Sequence, residues 1–260
     1  MISRDMRRTI LIAIVIALAI VMAAAYAGCG GGEDSTVWGE LPADDEDFTD
    51  AEGDGKAENG DTVVRGEDVV YMCGRSVLGG WFEHWGWDYD YENPVRFGSY
   101  DLVYEEMDVP PGIVDTAIDA ASAAAESGGG AVFFKFCFED FVGGDEYEAR
   151  ENLEDNMRMV TEVAEAVVEE EGLTLIVGNA LPMVREYTDE WLVWNHREYN
   201  HFLEELADAS GGRVVVLDLY GTLSASGGWL RPEYAADAYD SHLNEAAYDA
   251  LDLKLAEILQ

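Results

Sequence analysis

The sequence predicts an α/β domain built around a parallel sheet, and two observations carry that expectation. From residue 62 onward, short apolar runs alternate with longer stretches of helical spacing, the texture of βαβ units. Those apolar runs also lack strict alternation, as strands covered by helices on both faces do.

The elements follow in order. A first strand is expected at Asp68–Cys73, where Val69, Val70, Tyr71 and Met72 are consecutive. A further short strand is expected around Asp101–Met107. Pro110-Pro111 opens a helix over Gly112–Glu126 and Gly128-Gly129-Gly130 stops it. Strand Ala131–Phe138 comes next, then a helix over Glu146–Glu171 that ends at Gly172. Strand Leu173–Asn179, helix His196–Ala209 with its Gly211-Gly212 stop, and strand Arg213–Leu219 continue the alternation. A last helix is expected at Asn244–Leu259, where apolar residues recur at three- and four-residue spacing.

Ahead of this domain, Arg4, Arg7 and Arg8 precede an uncharged, mostly apolar run from Thr9 to Gly28, the order of an export signal. The run ends in Tyr26-Ala27-Gly28-Cys29, which resembles the bacterial lipobox with Tyr26 where Leu or Val is usual; the resemblance implies lipidation of Cys29. An uncut single-pass anchor is the other reading, since roughly 20 apolar residues span a bilayer. Either way the remaining chain lies outside the membrane on a tether. Residues 29–61 are rich in Gly, Asp and Glu without apolar periodicity, so a flexible acidic linker is expected there. The organisation is therefore 1–28 signal or anchor, 29–61 linker and 62–260 folded domain.

Charge excludes one class of function. Fifteen Lys and Arg stand against 54 Asp and Glu, a net charge of −39, which repels nucleic acid and anionic lipid surfaces. Only Lys56, Lys135 and Lys254 are lysines. A carboxylate-rich, lysine-poor surface fits a protein working in high salt, where the self-repulsion is screened, and equally an acidic secreted protein. Cys73 and Cys137 fall near strand ends, with buried free thiols favoured over a pairing. His84, His196 and His201 match no compact ligand spacing, so neither metal nor cofactor is expected.

Ligands of such sheets bind beyond the C-terminal ends of the strands. After the first strand comes Cys73-Gly74-Arg75-Ser76-Val77-Leu78-Gly79-Gly80, a serine at a strand-to-helix turn, where a nucleophile would sit. Asp240-Ser241-His242-Leu243-Asn244 places an acid and a histidine in one loop before the last helix. A serine hydroxyl needs a base to take its proton, and the imidazole needs a carboxylate to fix its tautomer.

These two segments resemble the first and last blocks of the SGNH (GDSL-type) hydrolase family, over roughly Thr62 to Gln260. The resemblance implies a flavodoxin-like three-layer fold, Ser76 as nucleophile, His242 as base, Asp240 as its orienting acid, and acyl esters of polysaccharides or lipids as substrates. The chain departs from the family pattern at three places. Arg75 stands where Gly-Asp-Ser has Asp. A single residue separates Asp240 from His242, a spacing similar to that of the alginate O-acetyltransferase relatives. In Cys137-Phe138-Glu139-Asp140, Glu139 replaces the asparagine of the third block, which helps form the oxyanion hole. Asn179, at the end of the next strand, and Asn195 are the candidates to supply the missing donor, and Gly98 is the candidate for the second block's glycine. The aromatic run containing Trp81, His84, Trp85 and Trp87 is read as a substrate wall suited to sugar rings; the other reading is that it covers the end of the core. The two functions that follow are a serine acyl-ester hydrolase or acyltransferase acting on an acylated glycan or lipid, and a catalytically silent domain that binds envelope glycan.

Overall fold

A computed structural model describes residues 67–90 and 93–259. The expected signal or anchor, the lipidation candidate Cys29 and the acidic linker lie outside the described residues. Within them no helix is long and apolar enough to cross a membrane.

The chain folds as a three-layer α/β structure. Six strands, β1 (Glu67–Gly74), β2 (Val95–Phe97), β3 (Tyr100–Glu106), β4 (Gly129–Lys135), β5 (Thr174–Gly178) and β6 (Val214–Leu217), lie in the order β2-β3-β1-β4-β5-β6. All neighbours pair parallel except β2, an antiparallel edge strand against β3. Because successive strand side chains point to opposite faces, each strand feeds two cores. Met72, Phe133, Ile176 and Leu217 pack with helices α1 (Ser76–His84) and α6 (Glu245–Ile258) and the short α5 (Leu219–Leu223). Phe134, Leu175, Val177 and Val214 pack on the other side with α2 (Ile113–Ser127), α3 (Glu146–Ala164) and α4 (Glu190–Ala209).

Several boundaries differ from the sequence reading, each for a local reason. Strand Ala131–Phe138 ends three residues early, because the Asp140 carboxylate accepts from Cys137 N–H at 2.7 Å and draws Phe138–Asp140 into a 3₁₀ turn. Strand Arg213–Leu219 stops at Leu217, where Asp218 caps α5 by accepting from Gly221 N–H. The helix expected from His196 begins at Glu190, since Asp189 accepts from Leu192 N–H as its N-cap. Helix Glu146–Glu171 carries a π-helical final turn over Glu165–Glu170 before Gly172, whose φ of +75° no other residue adopts cheaply. Two short strands, β7 (Ala235–Asp237) and β8 (Asp240–Leu243), form a separate antiparallel ribbon, so Asp240 and His242 sit on a strand rather than in a loop. Cys73 and Cys137 are both buried free thiols facing different cores, which removes the pairing alternative.

Candidate active site

Ser76 is the first residue of α1, exposed at the C-terminal end of β1. The turn that delivers it needs glycine at position 74, where a Cβ would lie 2.7 Å from the Leu78 side chain. Helix α1 is held against α6 by a second close approach: a Cβ at Gly80 would come within 2.4 Å of the Tyr248 hydroxyl, which itself donates to Val77 C=O at 3.1 Å.

The opposing ribbon is fixed just as locally. Along β8, Ser241 and Leu243 turn inward and Asp240 and His242 turn outward. Ser241 Oγ accepts from Val184 N–H, and Asn244 caps α6 while its amide donates to Glu233 C=O and Ala235 C=O. His242 is thereby presented to Ser76 across 166 residues of chain. Its Nε2 lies 3.0 Å from Ser76 Oγ and its Nδ1 lies 2.6 Å from Asp240 Oδ1, with Phe138 packed edge-on at 5.3 Å. Asp240 also accepts from His242 N–H at 2.9 Å; that backbone bond first, and the imidazole bond second, hold its carboxyl below the usual carboxylate range. An ionised Asp240 selects the Nδ1–H tautomer and leaves the Nε2 lone pair facing the serine hydroxyl. The histidine and aspartate side chains are 45% and 43% exposed, so a substrate reaches the serine from solvent without any opening.

The likeness to solved structures is one of fold. A GDSL-like lipase from Bacteroides thetaiotaomicron superposes with a TM-score of 0.54 at 14% identity, over 73% of this chain and 86% of that one. The fold is that of the GDSL-type (SGNH) hydrolases. A candidate acylhydrolase from Bacteroides fragilis superposes with a TM-score of 0.50 at 16% identity, over 73% and 85% of the two chains. No protein-family model and no curated protein matches the sequence.

Within this GDSL-like fold, Arg75 has a structural partner. Its Nη2 pairs with Asp140 Oδ1, tying the β1–α1 turn to the 3₁₀ turn after β4, while Asn152 and Asn156 donate to Asp140 C=O. Glu139 is exposed beside Phe138, the residue that touches His242.

Of the three oxyanion candidates, two are held in structural hydrogen bonds and the third lies away from Ser76. Asn179 does end β5, but its amide donates to Asp218 Oδ1 at 2.8 Å and its carbonyl accepts from Tyr220 N–H, so it clamps β5 to the start of α5. Asn195 is fully buried on α4, where its amide donates to Val142 C=O and Asn152 Oδ1. Gly98 forms the exposed turn between β2 and β3, at the N-terminal end of β3; since β3 runs parallel to β1, that is the far end of the sheet from Ser76.

The aromatic run is core rather than substrate wall. Trp81 is 1% exposed and stacks edge-on to Phe133, and its indole N–H and that of Trp85 both donate to Asp252 on α6. Trp85 also packs on Phe97 of β2, so α1 carries these rings away from its own N-terminus toward the opposite end of the sheet. Trp87 is buried against Phe82 and Tyr104. His84 faces Asp249 and Asp252 at 3.4 and 3.5 Å on α6.

The remaining histidines are apart from one another. His201 is exposed among Glu204 and Glu205, and no metal-suited cluster of His, Cys, Asp or Glu occurs among the described residues. His196 is fully buried between Phe141 and Tyr220, and desolvation pushes it down to about 3. It therefore stays neutral in the fold while its unfolded counterpart takes up a proton below about pH 6.5. The sign follows: between pH 6.5 and 3 the unfolded state binds more protons, so stability falls as pH falls. At about 1.36 kcal/mol per pH unit, acidification from pH 7 to 4.5 costs about 2–3 kcal/mol through this group. Urea unfolding at the two pH values should show His196→Phe losing less stability than the parent by about that amount. Equal losses would sink the assignment.

Proposed function

We propose that this chain is a serine acyl-ester hydrolase in which Ser76 attacks, His242 carries the proton and Asp240 orients the imidazole. The observation that carries the reading is the continuous pair of short contacts, 3.0 Å from Ser76 Oγ to His242 Nε2 and 2.6 Å from His242 Nδ1 to Asp240 Oδ1, assembled from the two ends of the domain. Such a relay removes the serine proton as the oxygen adds to the ester carbonyl, returns it to the leaving alcohol, and repeats with water to release the acyl group. The developing oxyanion is met at the start of α1, where the Ser76 and Val77 amides precede the first bonds of the helix, those of Leu78 and Gly79 N–H to Arg75 C=O, and where the positive end of the helix dipole lies. Arg75, which stands where the family pattern has Asp, is engaged by its pair with Asp140.

The substrate class we propose is an acylated glycan or lipid outside the cell, reached by a chain exported through residues 1–28 and tethered at Cys29. Mass measurement on membrane-extracted protein should find the N-terminus at an acylated Cys29. An intact, unmodified N-terminus would remove the lipoprotein reading. The hydrolytic reading is tested by turnover of a short-chain p-nitrophenyl ester at low and high salt. Turnover that vanishes in Ser76→Ala supports it; no turnover at any salt, together with binding of the unmodified glycan, would replace it with a binding domain.

A further inference from the structure

Directly behind the Ser76 turn lies a charged locus that the triad does not use. Lys135, the last residue of β4, is 1% exposed, and its Nζ has no hydrogen-bond partner among the described residues. Strand register places it level with Gly74: Cys73 pairs with Phe134, so Lys135 and the β1–α1 turn are lateral neighbours. Its stem shares the Phe133 face of the sheet and fits because position 178 is glycine, where a Cβ would come 2.9 Å from Lys135 Cβ and 2.8 Å from Leu219 Cδ1.

Arg75 supplies the second orphan. Its Nη2 is taken by Asp140, but its Nε is buried with no partner. Asp140 is already engaged on both oxygens, Oδ1 with Arg75 Nη2 and Oδ2 with Cys137 N–H, and neither orphan bonds to it. Burial lowers the Lys135 ammonium, Cys137 and Asp140 pull it back up, and Arg75 lowers it further. Of the two cations Asp140 thus bonds Arg75 alone, and two buried donors, Lys135 Nζ and Arg75 Nε, lack acceptors there. Buried donors in that condition are destabilising unless an acceptor meets them.

We propose that Lys135 Nζ and Arg75 Nε together bind a small monovalent anion, chloride, between β4 and the β1–α1 turn. The anion accepts from both donors and balances the second cation, so it locks the turn that carries Ser76 to the 3₁₀ turn that carries Phe138. In a chain of net charge −39, an interior anion site of this kind ties folding to halide concentration as well as to ionic strength.

The test reads stability, so its outcome is independent of whether the chain hydrolyses esters. Thermal unfolding of the full chain is followed in sodium chloride, sodium bromide and sodium sulfate at matched ionic strength, for the parent and for Lys135→Met. With halide at a hundredfold excess over its dissociation constant, the parent should gain about 5 °C in Tm over the variant's response, saturably, in chloride and bromide but not in sulfate. Identical salt responses in the two proteins would overturn the proposal. Should Lys135→Met fail to fold, crystals of the parent grown in bromide decide the matter: an anomalous peak within hydrogen-bond reach of both nitrogens supports the site, and a water or nothing there overturns it.

Discussion

Ser76→Ala and His242→Ala are each expected to lower kcat/KM toward a short-chain p-nitrophenyl ester by about 10⁴–10⁶, and the double variant is expected to be no worse than either alone. The physical reason is that the two side chains act as a unit. Without the hydroxyl there is no covalent intermediate, and without the imidazole 3.0 Å away the hydroxyl keeps its proton. What survives is the contribution of binding and of the α1 amides. Asp240→Asn should cost less than either, because its side chain is 43% exposed and water replaces part of the charge that steadies the imidazolium. Circular dichroism on each variant keeps a folding defect from passing for a catalytic one. If Ser76→Ala retains the parental rate, the hydrolytic site is elsewhere.

The second large effect runs the other way. Glu139→Asn is expected to raise kcat by about 10²-fold, the value of one oxyanion donor. Glu139 occupies the position where the resembling family has an asparagine, and it is exposed beside the ring that contacts His242. A carboxylate there opposes the charge that develops on the substrate oxygen, whereas an amide donates to it. The gain should appear in kcat with KM little changed, because the interaction exists only as the oxyanion forms. Glu139→Gln, which removes the charge with a longer reach, should recover a smaller part. Unchanged kcat in both variants would mean that residue 139 does not face the oxyanion and that the α1 amides serve alone.

Much of the site was legible because its chemistry is written in short segments. Ser76 follows a run of strand-forming residues and precedes a helix, and Asp240 and His242 stand together before the last helix, although the sequence reading puts them in a loop rather than on the strand that sets both on one face. Residues whose roles depend on distant partners were less legible. Asn179 is a polar residue at a strand end, as an oxyanion donor would be, yet Asp218 and the Tyr220 amide claim both ends of its side chain. Trp81 and Trp85 lie close to the nucleophile in sequence, but a helix advances about 1.5 Å per residue, so nine residues carried Trp85 along the sheet to Phe97 while Trp81 turned onto Phe133 in the core. Asp189 as N-cap was a readable signal for the true start of α4, with Leu192 at the spacing a cap requires.

By itself the sequence determined the layer architecture, since apolar runs of this length without alternation cannot be satisfied except between two layers of helices. It also determined the charge regime, because −39 is a property of composition rather than of conformation. Only the tertiary structure decided that Ser76 and His242 meet, that the aromatic run is core, and that Arg75 pairs with Asp140 behind the nucleophile while Lys135 is buried without a partner. The reason is physical: burial and hydrogen-bond partnership are set by strand order and register across 65 to 171 residues of chain, whereas propensity and periodicity act over a few turns.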